Sequence, residues 1–335
     1  MNPQYTPPWW LQSGLSMTLY SALRMSRNWE KYTIEPEPIY QEHIFSGDDD
    51  VPIFGIFAIP PNPKGTIVAT YGITGTLENQ WFLRIFGRKA YAQGYAVVLF
   101  DWRAHGKTAE LSPQLTSDGL HEGEDFVRIA RQSLQLGCPA PMWTVGYSLG
   151  GQLALWGVKA GRDVPEIAGG AVICPSLESD RSLTYLMAHP VGKYLERAIS
   201  KELRKLASEL HRYHPTEIDP AAIERATTIW GFDRELVIPR LGFKTVRDYY
   251  AATSPLYFLA DLNKPVLIIY AADDPLFDPT LVPELCAIAS KQPHIDLLLT
   301  PHGGHVGHIS SQACQKLNID RDPWWSWNRI LEWIH

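Results

Sequence analysis

The chain has 335 residues, which is enough for one large α/β domain with an insertion or for two smaller domains. Its hydrophobic fraction of 45% and charged fraction of 20% are those of a globular protein, and its formal net charge of −6 provides no basic footprint for nucleic acid. The cysteines form no CxxC pair, which argues against a disulfide framework or a structural zinc site and fits a reducing cytoplasm. They are Cys138, Cys174, Cys286 and Cys314.

The first segment, residues 1–35, is aromatic and amphipathic, most clearly from Tyr5 to Leu23. It lacks a basic stretch followed by an uninterrupted apolar run, so we predict no secretory signal. No stretch of the chain approaches the roughly 18–20 apolar residues that cross a bilayer. We expect the segment to pack onto the domain of a cytoplasmic protein. A peripheral membrane contact through the same residues is the alternative.

Short β-branched runs alternate with segments of helical periodicity, which is typical of a mostly parallel sheet flanked by helices. The first two runs precede the alternating part, and they predict an antiparallel edge hairpin with Gly47 and the following aspartates in its turn. Two later runs are almost continuously apolar, as expected of strands buried on both faces. The predicted strands are residues 41–45, 52–59, 66–71, 96–100, 142–145, 169–174, 265–270 and 295–299.

The stretch from 177 to 262 breaks this alternation. It contains no convincing strand, and its apolar residues recur at helical spacing between Val191 and Leu210. Because the chain returns directly to a core strand at Pro265, we interpret the stretch as a helical cap over the site rather than an independent domain. The predicted organisation is an N-terminal segment at 1–35, an α/β core at 36–176 and 263–335, and a cap at 177–262.

The first motif that indicates a chemical reaction is Gly146-Tyr147-Ser148-Leu149-Gly150. This Gly-x-Ser-x-Gly sequence follows an apolar strand and precedes a helix-like run, which is the context of a nucleophile elbow. The elbow holds the serine on a strained turn, and side chains at the glycine positions would clash with the neighbouring strand and helix. We therefore predict Ser148 as the nucleophile.

A serine hydroxyl needs a base, and the base needs an orienting acid. After an elbow serine, the acid and then the base follow along the chain. Asp274 and His305 lie in this order, each just beyond a predicted strand, so we predict them as the acid and the base. Asp273 satisfies nearly the same spacing and stays an alternative acid. The neighbouring His302 and His308 are the alternatives to His305, and Gly303-Gly304 favours His305 because it lets the backbone lift that side chain.

Acyl transfer also needs donors for the negative oxygen of its tetrahedral intermediate. The backbone N–H of Leu149, directly after the nucleophile, is one candidate. The other is the N–H of Ile73, in the loop Tyr71-Gly72-Ile73-Thr74-Gly75 that follows the strand at 66–71. Together they predict an oxyanion hole on either side of Ser148.

This loop resembles the His-Gly-x-x-Gly oxyanion loop of α/β-hydrolases, with Tyr71 in place of the histidine. Residues 101–106, Asp-Trp-Arg-Ala-His-Gly, resemble the Asp-x-Arg-Gly-x-Gly turn of that family, with Ala104 in place of a glycine. Residues 7–11, 120–125 and 232–250 are similar to the YheT-like branch, a group of predicted esterases and lipases. The resemblance covers nearly the whole chain. It implies an α/β-hydrolase fold, a Ser-Asp-His triad and acyl-hydrolase activity, but no particular substrate.

The expected activity is therefore cleavage of a carboxylic ester, on a small-molecule or lipid-like substrate, without a cofactor or a metal. His121 and Tyr147 are candidate pocket residues, although a structural role at a helix entry is favoured for His121. Thioester cleavage, acyl transfer and non-catalytic ligand binding stay as alternatives. A metal site on the histidines at 302, 305 and 308 is disfavoured by the intervening glycines, and a dehalogenase or epoxide hydrolase by serine at the elbow.

Overall fold

The computed structural model describes residues 4–335. Its centre is an eight-stranded sheet with the spatial order β1-β2-β4-β3-β5-β6-β7-β8, in which the pairs from β4 to β8 are parallel. The predicted mostly parallel α/β-hydrolase sheet is thus confirmed. The strands are β1 Gln41–Ser46, β2 Pro52–Ala58, β3 Thr66–Thr70, β4 Ala96–Phe100, β5 Met142–Tyr147, β6 Ile167–Ile173, β7 Val266–Ala271 and β8 Ile295–Thr300.

The first two strands form the predicted antiparallel hairpin, with Ser46 opposite Pro52. Its turn contains Gly47 and the helical residues Asp48–Asp50. The second strand also pairs antiparallel with β4, so the hairpin extends one edge of the parallel sheet. Strands β3, β4 and β7 are buried along their whole length. Such strands need helices on both faces, which explains their continuous apolar sequences.

Helices cover this sheet and fill the segment between β6 and β7. The ones outside that segment are α1 Gly14–Leu23, α2 Trp81–Ala92, α3 Gly106–Leu111, α4 Glu122–Gln135, α5 Leu149–Ala160, α12 Leu281–Ala289, α13 Gln312–Asn318 and α14 Trp325–Ile334. Between β6 and β7 lie α6 Ser179–Ala188, α7 Pro190–Tyr213, α8 Pro220–Arg225, α9 Ile229–Phe232, α10 Ile238–Leu241 and α11 Val246–Thr253.

The inserted helices have a hydrophobic cluster of their own, separate from the core around the sheet. Leu203 and Leu210 of α7 are buried in it, and so are Ala104 and Leu115 from the loops that follow β4. A π-helical turn at Asp233–Val237 joins α9 to α10. The insertion therefore packs over the carboxyl end of β4, where the loop to α3 begins.

The N-terminal segment packs against the domain through Leu11 and Met17, which are both buried. Trp9 and Leu23 point outward, with 83% and 60% of their surface exposed. Among residues 4–335, no helix combines the length and the apolar character that a membrane span requires. A peripheral membrane contact through the exposed aromatic residues stays a prediction.

Candidate active site

Ser148 lies between the end of β5 and the first turn of α5, with φ of 54° and ψ of −129°. This backbone conformation is strained for a residue with a side chain. A Cβ atom on Gly146 would lie 2.0 Å from the carbonyl oxygen of Gly150, and one on Gly150 would lie 2.3 Å from that of Tyr71. Glycine is therefore required at both positions, because α5 and the loop after β3 approach the elbow this closely.

His305 joins Ser148 to Asp274. Its Nε2 lies 2.8 Å from Ser148 Oγ, and its Nδ1 lies 2.8 Å from Asp274 Oδ2. The buried carboxylate also accepts the N–H of Leu276, at 2.9 Å. Since a carboxylate only accepts hydrogen bonds, His305 donates from Nδ1, and its Nε2 is left to accept the hydroxyl of Ser148. The structure thus brings together the nucleophile, base and acid that the sequence predicts.

The alternative acid and bases lie elsewhere. Asp273 accepts the N–H of Gly304 at 2.9 Å, and its other oxygen lies 3.5 Å from His302 Nδ1. Burial raises the pKa of the Asp273 carboxyl. His308 is buried beside Thr300, with Nε2 at 3.1 Å from its hydroxyl, and burial lowers the pKa of this imidazole to about 4. The three neighbouring histidines therefore have different surroundings and do not converge on one site.

Ile73 and Leu149 both line the cavity at Ser148. A Cβ atom on Gly72 would lie 3.0 Å from the Cβ of Ser148, so the loop after β3 passes directly beside the nucleophile. Among residues 4–335, the N–H groups of Ile73 and Leu149 have no hydrogen-bond acceptor. Two free donors next to a serine hydroxyl are the arrangement that an oxyanion requires.

A buried histidine that the sequence analysis did not single out supports this loop. His105 Nε2 accepts the N–H of Thr74 at 3.2 Å, while its Nδ1 donates to the carbonyl of Arg103 at 2.8 Å. Its ring stacks on Trp102, and burial lowers the pKa of the imidazole to about 4. A neutral ring has one donor and one acceptor, which matches both bonds. His105 therefore holds Thr74 in its left-handed conformation, with φ of 64°, one residue beyond Ile73.

Tyr71 occupies the position of the family histidine and is fully buried. Its hydroxyl donates to Asp101, which also accepts the N–H groups of Leu77 at 2.8 Å and Lys107 at 3.0 Å. Burial raises the pKa of the Asp101 carboxyl to about 6. The tyrosine thus ties the start of the oxyanion loop to the turn that follows β4.

Neither candidate pocket residue lines the cavity at Ser148, which corrects that expectation. The ring of Tyr147 packs against Phe82, and its hydroxyl donates to Gln80. His121 precedes α4, and its Nδ1 lies 2.8 Å from Asp48 in the hairpin turn. With Asp48 and Asp49, His121 forms a partly exposed group of potential metal ligands, the one such group within residues 4–335. The distance between α4 and the hairpin turn depends on tertiary packing, so this contact could not be predicted from the sequence.

The cavity that contains Ser148 has a volume of about 920 Å³, including its open mouth. Its wall is largely apolar, and most of the apolar side chains come from the inserted helices. The main ones are Leu183, Leu186, Ile199, Leu203, Leu206, Ile229 and Phe232, with Leu276 and Phe277 from the loop that carries Asp274. The helices between β6 and β7 therefore form one side of the space above the nucleophile.

Sequence reasoning also missed a contact from the N-terminal segment. The hydroxyl oxygen of Thr18 in α1 accepts the backbone N–H of His305 at 2.8 Å, and this hydroxyl donates to the carbonyl of Gly14 at 2.8 Å. Nearby, a Cβ atom on Gly304 would lie 2.4 Å from the same carbonyl oxygen. The loop that carries His305 is therefore bound to α1, and Thr18 is a positioning residue for it.

Replacing Thr18 with valine keeps the shape of the side chain but removes the acceptor for the His305 N–H. An unsatisfied buried donor costs about 1–3 kcal/mol. We expect kcat for p-nitrophenyl butyrate to fall about tenfold with little change in KM, because the base is displaced while the cavity is intact. Thr18→Ser keeps the hydroxyl and should restore kcat. A folded Thr18→Val protein with the kcat of the unaltered enzyme would remove the positioning role.

Comparison with known proteins agrees with this geometry. The family described as the α/β hydrolase fold matches residues 65–312. The protein named "Putative esterase slr0264" of Synechocystis sp. is 51% identical over 99% of this chain and 94% of its own length. "Putative esterase YheT" of Escherichia coli is 29% identical over 81% of this chain and 76% of its own length.

Among solved structures, the esterase Pf2001 of Pyrococcus furiosus aligns with a TM-score of 0.54. The alignment covers 99% of this chain and 97% of that one at 18% identity, so the likeness concerns the fold. The family match spans most of the sheet, from β3 to the residues just beyond His305. The chain belongs to the α/β-hydrolase family, and within it to the YheT-like esterases.

Proposed function

We propose that this protein is a serine hydrolase that cleaves a carboxylic ester through an acyl-enzyme intermediate. The observation that carries the proposal is the chain of hydrogen bonds from Ser148 through His305 to Asp274, with 2.8 Å at both steps. In this reaction the Ser148 oxygen attacks the ester carbonyl carbon while His305 Nε2 takes the hydroxyl proton. The Asp274 carboxylate stabilises the imidazolium that forms.

The tetrahedral intermediate then collapses. The bond between the carbonyl carbon and the alcohol oxygen breaks, and His305 gives its proton to the leaving alcohol. A water molecule repeats the sequence: His305 takes its proton, the hydroxide attacks the acyl carbon, and the carboxylic acid leaves as Ser148 recovers its proton. The N–H groups of Ile73 and Leu149 bind the negative oxygen in both halves, which in related sites contributes about 10²–10³ in turnover.

Active-site labelling tests this proposal against the binding-protein alternative. A fluorophosphonate should modify Ser148 in the intact protein, and mass spectrometry of the digested protein should place the adduct on that residue. A folded protein that neither reacts with the probe nor hydrolyses any p-nitrophenyl ester from acetate to palmitate would be a binder. Parallel assays with matched thioesters and with added alcohol acceptors separate ester cleavage from thioester cleavage and acyl transfer.

The apolar wall from α6, α7 and α9 supports an apolar acyl group as the substrate portion that lies under the inserted helices. We propose that residues 177–262 act as a cap that selects the length of this group. Burying one methylene contributes about 0.8 kcal/mol, so a long acyl chain gains much more from this wall than an acetyl group does. Chain-length preference should therefore depend on the residues that face the cavity.

Leu183 of α6 allows a direct test, because it lines the cavity and is only partly buried. Leu183→Trp should lower kcat/KM for the octanoate ester by about tenfold or more while changing that for the acetate ester by about twofold or less, since it shortens the space for the chain. Leu317→Trp, at an exposed leucine of α13, is the matched control. Equal changes for both esters would make the cap structural only.

A further inference from the structure

Two carboxylates line the same cavity as Ser148. Asp118 comes from the loop before α4, and Asp233 is the first residue of the π-helical turn in the insertion. They are only 7% and 6% exposed. Buried charges are normally paired, and π-helical turns occur frequently at functional sites. The reaction proposed above uses neither side chain.

The surroundings of the two groups are acidic and aromatic. The hydroxyl of Thr116 donates to Asp118 at 3.3 Å, and that of Tyr250 donates to Asp233. Among residues 4–335, no lysine, arginine or histidine forms a salt bridge with either carboxylate, and the charged neighbour is Glu122. Burial, with the neighbouring charge of Glu122, raises the pKa of Asp118 to about 7, and burial, with the charge of Asp118, raises the pKa of Asp233 well above its ordinary value. Residues 4–335 therefore provide no positive charge next to these two carboxylates.

One of the residues that line the same cavity has a polar atom without a partner. Ser182 of α6 lines the cavity and is 4% exposed, and its Oγ has no hydrogen-bond partner among residues 4–335. Native structures rarely bury a hydroxyl without a partner. A polar group of a ligand in the cavity that Ser182 shares with the two carboxylates would provide that partner.

Hydrogen bonds through Gln152 connect the backbone of Asp118 to that of Ser148. The side-chain amide of Gln152 donates to the backbone carbonyl of Asp118 at 2.8 Å, and the N–H of Gln152 donates to the carbonyl of Ser148 at 3.2 Å. Gln152 lies one helical turn beyond Ser148 in α5. A substrate that reacts at Ser148 can thus extend to Asp118 within one continuous cavity.

We propose that Asp118 and Asp233 form a subsite for a cationic ammonium group of the ester substrate. The inference rests on the proposed function and names the substrate class of that site. A cation supplies the counter-charge that the described part of the chain does not provide, and the aromatic rings of Tyr250 and Trp102 in the same cavity suit a quaternary ammonium. A substrate with an anionic group at this position is disfavoured by like charge.

The test compares choline butyrate with 3,3-dimethylbutyl butyrate, which differ by a positively charged nitrogen in place of a carbon. We expect the unaltered enzyme to prefer the choline ester by about tenfold or more in kcat/KM, the lower range for a close charge pair. Asp118→Asn, Asp233→Asn and the double variant should bring the ratio toward one. Asparagine keeps the shape of each side chain and places no charge in the buried site, so folding should be preserved. Asp49→Asn, at an exposed carboxylate, should keep the ratio.

Two results with this pair of esters overturn the subsite. One is a ratio near one in the unaltered enzyme. The other is a preference for the choline ester that survives in the double variant. In both, continued hydrolysis of the neutral ester leaves the proposed function intact, whereas loss of all ester hydrolysis and of fluorophosphonate labelling would contradict that function instead. A preference for a glycerol ester over both butyrates would assign the carboxylates to hydroxyl groups, which also overturns the ammonium subsite.

Discussion

Replacing Ser148 with alanine is expected to lower turnover of p-nitrophenyl esters by about 10⁴-fold or more. The loss is large because the Ser148 hydroxyl is the group that lies 2.8 Å from His305 Nε2, beside the two free N–H groups. Donors in the oxyanion hole still bind the substrate carbonyl, so some activity above the uncatalysed rate should survive. Initial rates at saturating ester concentration measure this loss of turnover directly.

The fold should persist in this variant, because alanine has the same backbone requirement as serine at φ of 54°. Thermal unfolding followed by circular dichroism checks this. Ser208→Ala, at an exposed serine of α7, is the matched control and should retain full turnover. A folded Ser148→Ala protein with turnover near that of the control would show that another residue is the nucleophile.

Asp274→Asn is expected to lower turnover by about 10⁴-fold as well, although it preserves the shape of the side chain. An amide that donates to His305 Nδ1 favours the tautomer with the proton on Nε2, and that tautomer cannot accept the hydroxyl proton of Ser148. His305→Ala should lose activity to a similar extent, because it removes the base itself. Steady-state rates with one p-nitrophenyl ester allow both variants to be compared.

The neighbouring residues provide sharp controls. Asp273→Asn should lose far less, because Asp273 binds the Gly304 backbone rather than His305. His302→Ala and His308→Ala should also retain most of the turnover, provided that their thermal unfolding midpoints stay close to that of the unaltered protein. Inactivity of Asp273→Asn together with activity of Asp274→Asn would move the acid by one residue and contradict the hydrogen bonds at His305.

Much of the fold could be predicted, because periodicity in the sequence reports burial directly. Each predicted strand overlaps an observed one, and the antiparallel hairpin was expected from its position before the alternating part. The continuous apolar run at 66–71 identifies a strand that is buried on both faces. Strand ends differ by a residue or two, since hydrogen bonding rather than hydrophobicity determines where a ladder ends.

The site was predicted less completely. The order of Ser148, Asp274 and His305 along the chain and their positions just after predicted strands identified them as candidates. Spacing alone could not distinguish Asp274 from Asp273. That distinction depends on which carboxylate turns toward His305, and the Leu276 N–H holds Asp274 in that orientation. For His121 a structural role was favoured over the pocket, and in the structure its Nδ1 contacts Asp48 of the hairpin turn.

Contacts between distant parts of the chain were beyond sequence reasoning. Asp118 and Asp233 are separated by more than a hundred residues, and each alone is an ordinary loop or helix residue in the sequence. Thr18 is likewise unremarkable within a short amphipathic helix. These residues come to lie around the site only because the insertion and α1 pack over the carboxyl end of the sheet.

The bond between Thr18 and His305 closes a loop of 287 residues, and the bond from the Tyr5 hydroxyl to the Ile309 carbonyl closes one of 304. Loop-closure entropy grows only with the logarithm of length, so closing about 300 residues costs roughly 2 kcal/mol more than closing about 30. Burial of Leu11 and Met17, at about 1.5–3 kcal/mol each, offsets this difference. The N-terminal segment thus holds the loop that carries His305, and the fraction of molecules in which this segment is docked limits the fraction in which His305 is held in place.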